Sequence, residues 1–167
     1  GGERAVAVGG HAPERVRRGA ARRRVDEDHR LTGLGELSAS LDARVQRQQA
    51  EDLLEQNGLE EAPRFLLLDS ERFLVREVSL PMAAEANLRQ VLTFEMDRQT
   101  PFRASAVYFD WKVLERGKAG GQLRLQLFVI PRGEVDAAAR EVDARGFRLS
   151  GIDVREGDSS LGLNLLP

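Results

Sequence analysis

Few residues in this chain could carry covalent or acid–base chemistry, and their spacing does not assemble a reactive site. The two histidines, His11 and His29, lie in a polar stretch with no metal-ligand partner at a workable spacing. With no cysteine in the chain, thiolate chemistry and disulfides are excluded, and thiolate zinc sites with them. Asp26, Glu27 and Asp28 are adjacent carboxylates, but a general acid or base needs burial to shift its proton affinity, and their neighbours are arginines. No Gly-x-Ser-x-Gly elbow is present, nor a Gly-x-x-x-x-Gly-Lys-Ser/Thr phosphate loop. Gly117-Lys118-Ala119-Gly120-Gly121 is rich in glycine, yet it joins two strand-like runs. It therefore lacks the helix N-terminus that would attract a phosphate, and reads as a hairpin turn. Trp111 and Phe109 share a strand face and read as core. No cofactor or metal is expected, and the function left is binding or scaffolding.

The polar groups best placed for a partner belong to one segment, Leu80 to Phe102, which two prolines bracket. Pro81 suits a first helical turn, since its missing N–H would have had no intrahelical acceptor. Pro101 disfavours helical geometry at Thr100, so a helix should stop near Gln99. Ala84, Leu88, Val91, Leu92, Phe94 and Met96 form the expected apolar stripe. Glu85, Arg89, Gln90, Asp97 and Arg98 form the candidate partner-binding face. Glu85 and Arg89 stand in the favourable order for an i, i+4 pair. A sheet edge is the competing docking surface, because exposed strands accept partners by strand addition.

The elements around this helix define the class. Arg4 to Val8 reads as a short strand ending at Gly9-Gly10. Residues 11–30 carry seven arginines and the acidic triplet, a self-neutralising charged segment. A contact with anionic lipid through Arg15 to Arg24 is the sharper alternative. A net charge of −2 and the lack of aromatics among the arginines speak against nucleic acid. A helix is expected over about Gly35 to Gln56, with Leu34, Leu37, Leu41, Val45, Leu53 and Leu54 on one face and a stop at Asn57-Gly58. Phe65-Leu66-Leu67-Leu68 is a strand buried on both faces. Phe73 to Leu80 follows after a short turn, and the spacing predicts that the two pair as an antiparallel hairpin. Strands are expected over 106–114 and 123–130, a helix over Glu134 to Arg145, and a last strand over 147–154. No apolar run approaches the roughly 18 residues that span a bilayer.

The order points to an α/β (α+β) fold with a mixed sheet and packed helices. An actin-like lobe or partial lobe and a ferredoxin-like split β-α-β unit both fit it. Three regions are expected: a polar, arginine-rich segment with one helix (1–63), a mixed-sheet core (64–157), and a closing segment (158–167).

Several motifs together resemble one family. Val75-Arg76-Glu77-Val78-Ser79-Leu80-Pro81, Ala83 to Leu92, and Phe94 to Phe102 resemble the cytoplasmic domain of type II secretion system protein L. They are also similar to related type IV pilus assembly proteins of the PilM/PilN kind. Tyr108-Phe109-Asp110 and Val129-Ile130-Pro131-Arg132 continue the match. Gly162-Leu163-Asn164-Leu165-Leu166-Pro167 resembles the Gly-x-Asn-Leu-Leu-Pro that precedes the family's transmembrane helix. The resemblance covers residues 64–167.

It implies an actin-like cytoplasmic domain of a bitopic inner-membrane scaffold, at the cytoplasmic face of the bacterial inner membrane. Its implied partners are the N-terminal domain of the secretion ATPase (protein E) and the inner-membrane protein M, with homodimerisation of the full-length protein. Leu163, Leu165 and Leu166 would be membrane-proximal, next to a transmembrane helix outside this chain. The resemblance implies no enzymatic activity for the secretion branch. The pilus branch offers the alternative of an actin-like ATP-binding domain, against which stands the missing phosphate loop.

Overall fold

The computed structural model describes Val8–Gly9 and residues 42–166. The chain divides into two compact units. One takes the described residues up to Ser70 together with Asp136–Leu166, and the other is Glu71–Val135.

The first unit is built on a four-stranded sheet of order β1-β2-β6-β7: β1 (Val8–Gly9), β2 (Phe65–Asp69), β6 (Gly151–Glu156) and β7 (Ser159–Ser160). Phe65, Leu66, Leu67 and Leu68 of β2 are all buried, as the continuous apolar run requires. β2 pairs in parallel with β6, Phe65 opposite Gly151 and Leu68 opposite Val154, while β1 pairs antiparallel with β2. α1 (Ala43–Gln56) starts at Asp42, whose carboxylate accepts the Arg44 N–H at 2.8 Å, satisfying a donor that has no intrahelical acceptor. Gly58, at φ 68°, ends it as its sequence suggests. The face of α1 differs from the expected one. Gln46, Ala50 and Leu54 are buried, four residues apart, whereas Val45 is 43% exposed. Leu34, Leu37 and Leu41 lie outside the described residues.

The second unit is a three-stranded antiparallel sheet, β3-β5-β4, with a helix on one face: β3 (Leu74–Pro81), β4 (Val107–Arg116) and β5 (Gln122–Pro131). The expected hairpin of β2 with β3 is not formed. The two strands belong to different sheets, and a 3-10 turn at Ser70–Arg72 joins them. β3 finds its partner in β5, with Val78 opposite Leu125. The β4–β5 hairpin does form. Gly117 N–H donates to Gln122 O and Gly121 N–H to Lys118 O, and Gly120 sits at φ 80°, so the glycine-rich loop is a turn. Alternation then sends Val78, Leu80, Leu123, Leu125, Leu127, Val129 and Phe109 to one face, where they meet Leu88, Leu92 and Met96 of α2 (Leu88–Gln99).

α3 (Arg132–Ala144) follows β5, with Val135 and Val142 buried. The fold is mixed α+β. Tyr108, Asp110 and Lys112 lie on the other strand face, as alternation requires, but Asp110 is only 5% exposed.

Candidate functional site

The prolines bracket α2 in an unequal way. Pro81 is the last residue of β3 and precedes a 3-10 stretch, Met82–Asn87; the α-helix begins only at Leu88. Its end is as predicted. Thr100 is extended ahead of Pro101, its N–H reaches Met96 O at 2.9 Å, and its hydroxyl donates to the same carbonyl at 2.8 Å. That hydroxyl also accepts the Phe102 N–H at 3.1 Å, which carries the chain across the proline toward β4.

Rotation by about 100° per residue places Leu88, Leu92 and Met96 within one arc of about 80°. All three are buried. Phe94 lies about 160° from the centre of that arc and is 73% exposed, so its assignment to the apolar stripe is corrected. Gln90, Asp97 and Arg98 flank it within about 60° on either side, and all are exposed. Arg98 pairs with Glu95 one turn back at 3.4 Å. The outer face of α2 is therefore an exposed aromatic ring set among three polar side chains. Such rings are common anchors of protein interfaces.

The other two predicted residues are committed to the fold. Glu85 takes the Arg116 guanidinium of β4 as partner. Arg89 lies on the flank of α2 with its guanidinium over the rings of Phe109 and Trp111, 5.0 and 5.1 Å from their centroids. It also stands 3.8 Å from the nearly buried Asp110 carboxylate, which accepts the Trp111 N–H at 3.0 Å. A planar cation on two rings and beside a carboxylate is an arrangement arginine makes and lysine does not. It ties α2 to β4. The expected docking face thus splits: Gln90, Asp97 and Arg98 gather around Phe94, while Arg89 ties α2 to β4 and Glu85 ties the preceding 3-10 stretch to the same strand. The place of Phe94 opposite the buried stripe follows from the rotation of about 100° per residue.

The closing segment is also more deeply placed than its apolar sequence suggests. Leu163 and Leu165 are buried, 7% and 2% exposed, and Leu166 is half-buried. Their side chains pack in the protein. Asp153, fully buried, and Asn164 hold this segment; the sequence marks Asn164 only as part of the closing motif and gives no sign of Asp153, a lone polar residue in an apolar run. Among the described residues no cluster of three metal-ligating side chains occurs, and no helix is long and apolar enough to cross a membrane.

The second unit is thus an antiparallel sheet with one braced helix that carries an exposed aromatic on its outer face. Over 130 residues, 77% of its length, the chain is 45% identical to type II secretion system protein L of Xanthomonas campestris pv. campestris. This chain is a homologue of type II secretion system protein L, as its motifs suggest. It spans 34% of the length of that relative. A solved structure, the cytoplasmic domain of EpsL, an inner membrane component of the type II secretion system of Vibrio cholerae, is 17% identical. It aligns with a TM-score of 0.44, over 72% of this chain and 44% of that one. No protein-family model matches the chain.

Proposed function

We propose that this chain is part of the cytoplasmic scaffold of an inner-membrane component of a type II secretion system, where it docks the secretion ATPase. The 45% identity to protein L carries the reading. In it, the N-terminal domain of the ATPase (protein E) is the docking partner, and protein M is the partner in the membrane. A transmembrane helix after residues 158–167 anchors the protein with this part on the cytoplasmic side, and the full-length protein is a homodimer. The chain acts by holding partners and performs no catalysis.

The outer face of α2 is the docking surface we assign. Phe94 supplies apolar area at its centre, and Gln90, Asp97 and Arg98 supply a polar rim. A rim charge mainly tunes register and association rate, while a central aromatic supplies affinity. Capture of the ATPase N-terminal domain on immobilised chain tests the surface. Asp97→Arg, far from the packed stripe of α2, should leave the fold intact and reduce capture at least threefold. Equal capture by Asp97→Arg and the unaltered chain removes this face from the reading.

A further inference from the structure

Residues 161–166 lie outside any regular strand, yet they are joined to β6 along its length. Leu161 N–H donates to Val154 O at 3.0 Å and Leu165 N–H to Ile152 O at 2.9 Å, a ladder of two backbone bonds. Two side chains fill the gaps between these rungs. One oxygen of the Asp153 carboxylate accepts the Leu163 N–H at 2.9 Å as well as the Val154 N–H at 2.6 Å, and the other accepts the Gly162 N–H at 3.1 Å. From the segment itself, Asn164 Oδ1 accepts the Ile152 N–H at 3.2 Å and the Leu166 N–H at 3.1 Å. Gly162, at φ 73°, supplies the left-handed turn that aims two successive N–H groups at one carboxylate. Gly151 clears the space beside them, because a Cβ there would stand 2.6 Å from Asn164 Oδ1.

A loop that merely passes over a surface does not need a fully buried carboxylate. Burying one is unfavourable unless its lone pairs are filled, and here three backbone N–H groups point at it. The carboxylate and the segment are mutually dependent: without the segment Asp153 loses two donors, and without Asp153 the Gly162 and Leu163 N–H groups lose their acceptor. Leu163 and Leu165 add buried apolar area on the same stretch.

We propose that residues 161–166 form a strap locked to β6 by Asp153 and Asn164, and that this strap couples the chain leaving at Pro167 to the four-stranded sheet. The coupling role rests on the reading above, in which a membrane anchor follows. A chain so held transmits the position of the anchor to the sheet, where a loose linker would average it away. Asp153 and Asn164 are positioning residues in this device.

Hydrogen exchange on the full chain tests the strap itself. The amides of 161–166 should exchange on the timescale of β2 and β6 amides. Asp153→Asn should speed exchange at Gly162 and Leu163 at least tenfold, leaving Leu66 to Leu68 within twofold. Asn164→Leu, which removes the other acceptor, should speed Leu166 in the same way. Exchange of 161–166 at unprotected rates in the unaltered chain overturns the strap, whether or not either variant folds. So does an unchanged pattern in both variants.

The coupling is tested in the full-length protein carrying Asp153→Asn. ATPase N-terminal domain capture should be unchanged while secretion falls at least fivefold. Normal secretion with a loosened strap overturns the coupling and leaves the docking reading standing. Failure of the unaltered protein to capture the ATPase domain counts against docking alone.

Discussion

Replacing Arg89 by alanine removes the brace between α2 and β4, and the size of the loss follows from what the guanidinium touches. It lies 5.0 and 5.1 Å from the centroids of Phe109 and Trp111, and a half-exposed cation over a ring contributes ~0.5–1 kcal/mol. The ion pair with Asp110 is 3.8 Å long, and its arginine side chain is 44% exposed, so screening limits it to ~1 kcal/mol. Asp110 itself is almost buried, and alanine leaves its carboxylate with one fewer partner. The expected destabilisation is about 2 kcal/mol. Arg89→Lys keeps the charge without the planar stack and should recover about half of it. Trp111, the only tryptophan in the chain, stands inside the brace, so urea unfolding followed by its fluorescence reads the site directly. In Arg89→Ala the native emission should shift to the red as the ring gains water. A double-mutant cycle with Asp110→Asn then isolates the ion pair. Stability of Arg89→Ala within ~0.3 kcal/mol of the unaltered chain, with unmoved emission, would show that Arg89 is an ordinary surface residue.

Two further outcomes follow from the same structure. Gly151→Ala would place a Cβ 2.5 Å from Phe65 Cε1, so overpacking should cost ~1–3 kcal/mol by chemical unfolding; a neutral effect would mean β2 and β6 can part to admit a methyl group. The scaffold reading also predicts no thermal stabilisation by ATP and magnesium, whereas a nucleotide-binding domain at 100 times its dissociation constant gains about 2.7 kcal/mol; a clear upward shift in Tm supports the actin-like ATP-binding alternative.

Legibility in the sequence tracks the range of the interactions. The β4–β5 hairpin was readable because its glycine-rich turn and its alternation are local. The stop of α2 was readable because Thr100 and Pro101 settle it within a few bonds. The pairing of β2 was not. Proximity in the chain suggested β3, but β2 takes as its parallel partner β6, more than 80 residues later, with Leu66 opposite Ile152. A continuous apolar run says that a strand is central and is silent on its neighbours. On α1, Gln46 is buried where the leucine pattern pointed elsewhere, since a glutamine gives no hydrophobic signal of its packing.

The candidate site shows the same division. The residue types of α2 were readable, and the partition of its polar face was not. That partition depends on β4, which brings Asp110, Trp111 and Arg116 beside Arg89 and Glu85. Charge in a helix looks alike in sequence whether it faces a partner or braces the fold. The motif at 162–167 resembles a family's, while two of its three leucines are buried and its asparagine is a clamp.

The most direct test of the account is calorimetric titration of the ATPase N-terminal domain into this chain, unaltered and as Phe94→Ser. Phe94 is 73% exposed, so its replacement should leave the unfolding midpoint unchanged or raise it slightly. The account predicts binding by the unaltered chain and a Kd at least tenfold weaker for Phe94→Ser, a loss of about 1.4 kcal/mol or more. An unchanged Kd would contradict it by showing that the ATPase docks elsewhere, and an absence of binding by the unaltered chain would contradict the scaffold reading itself.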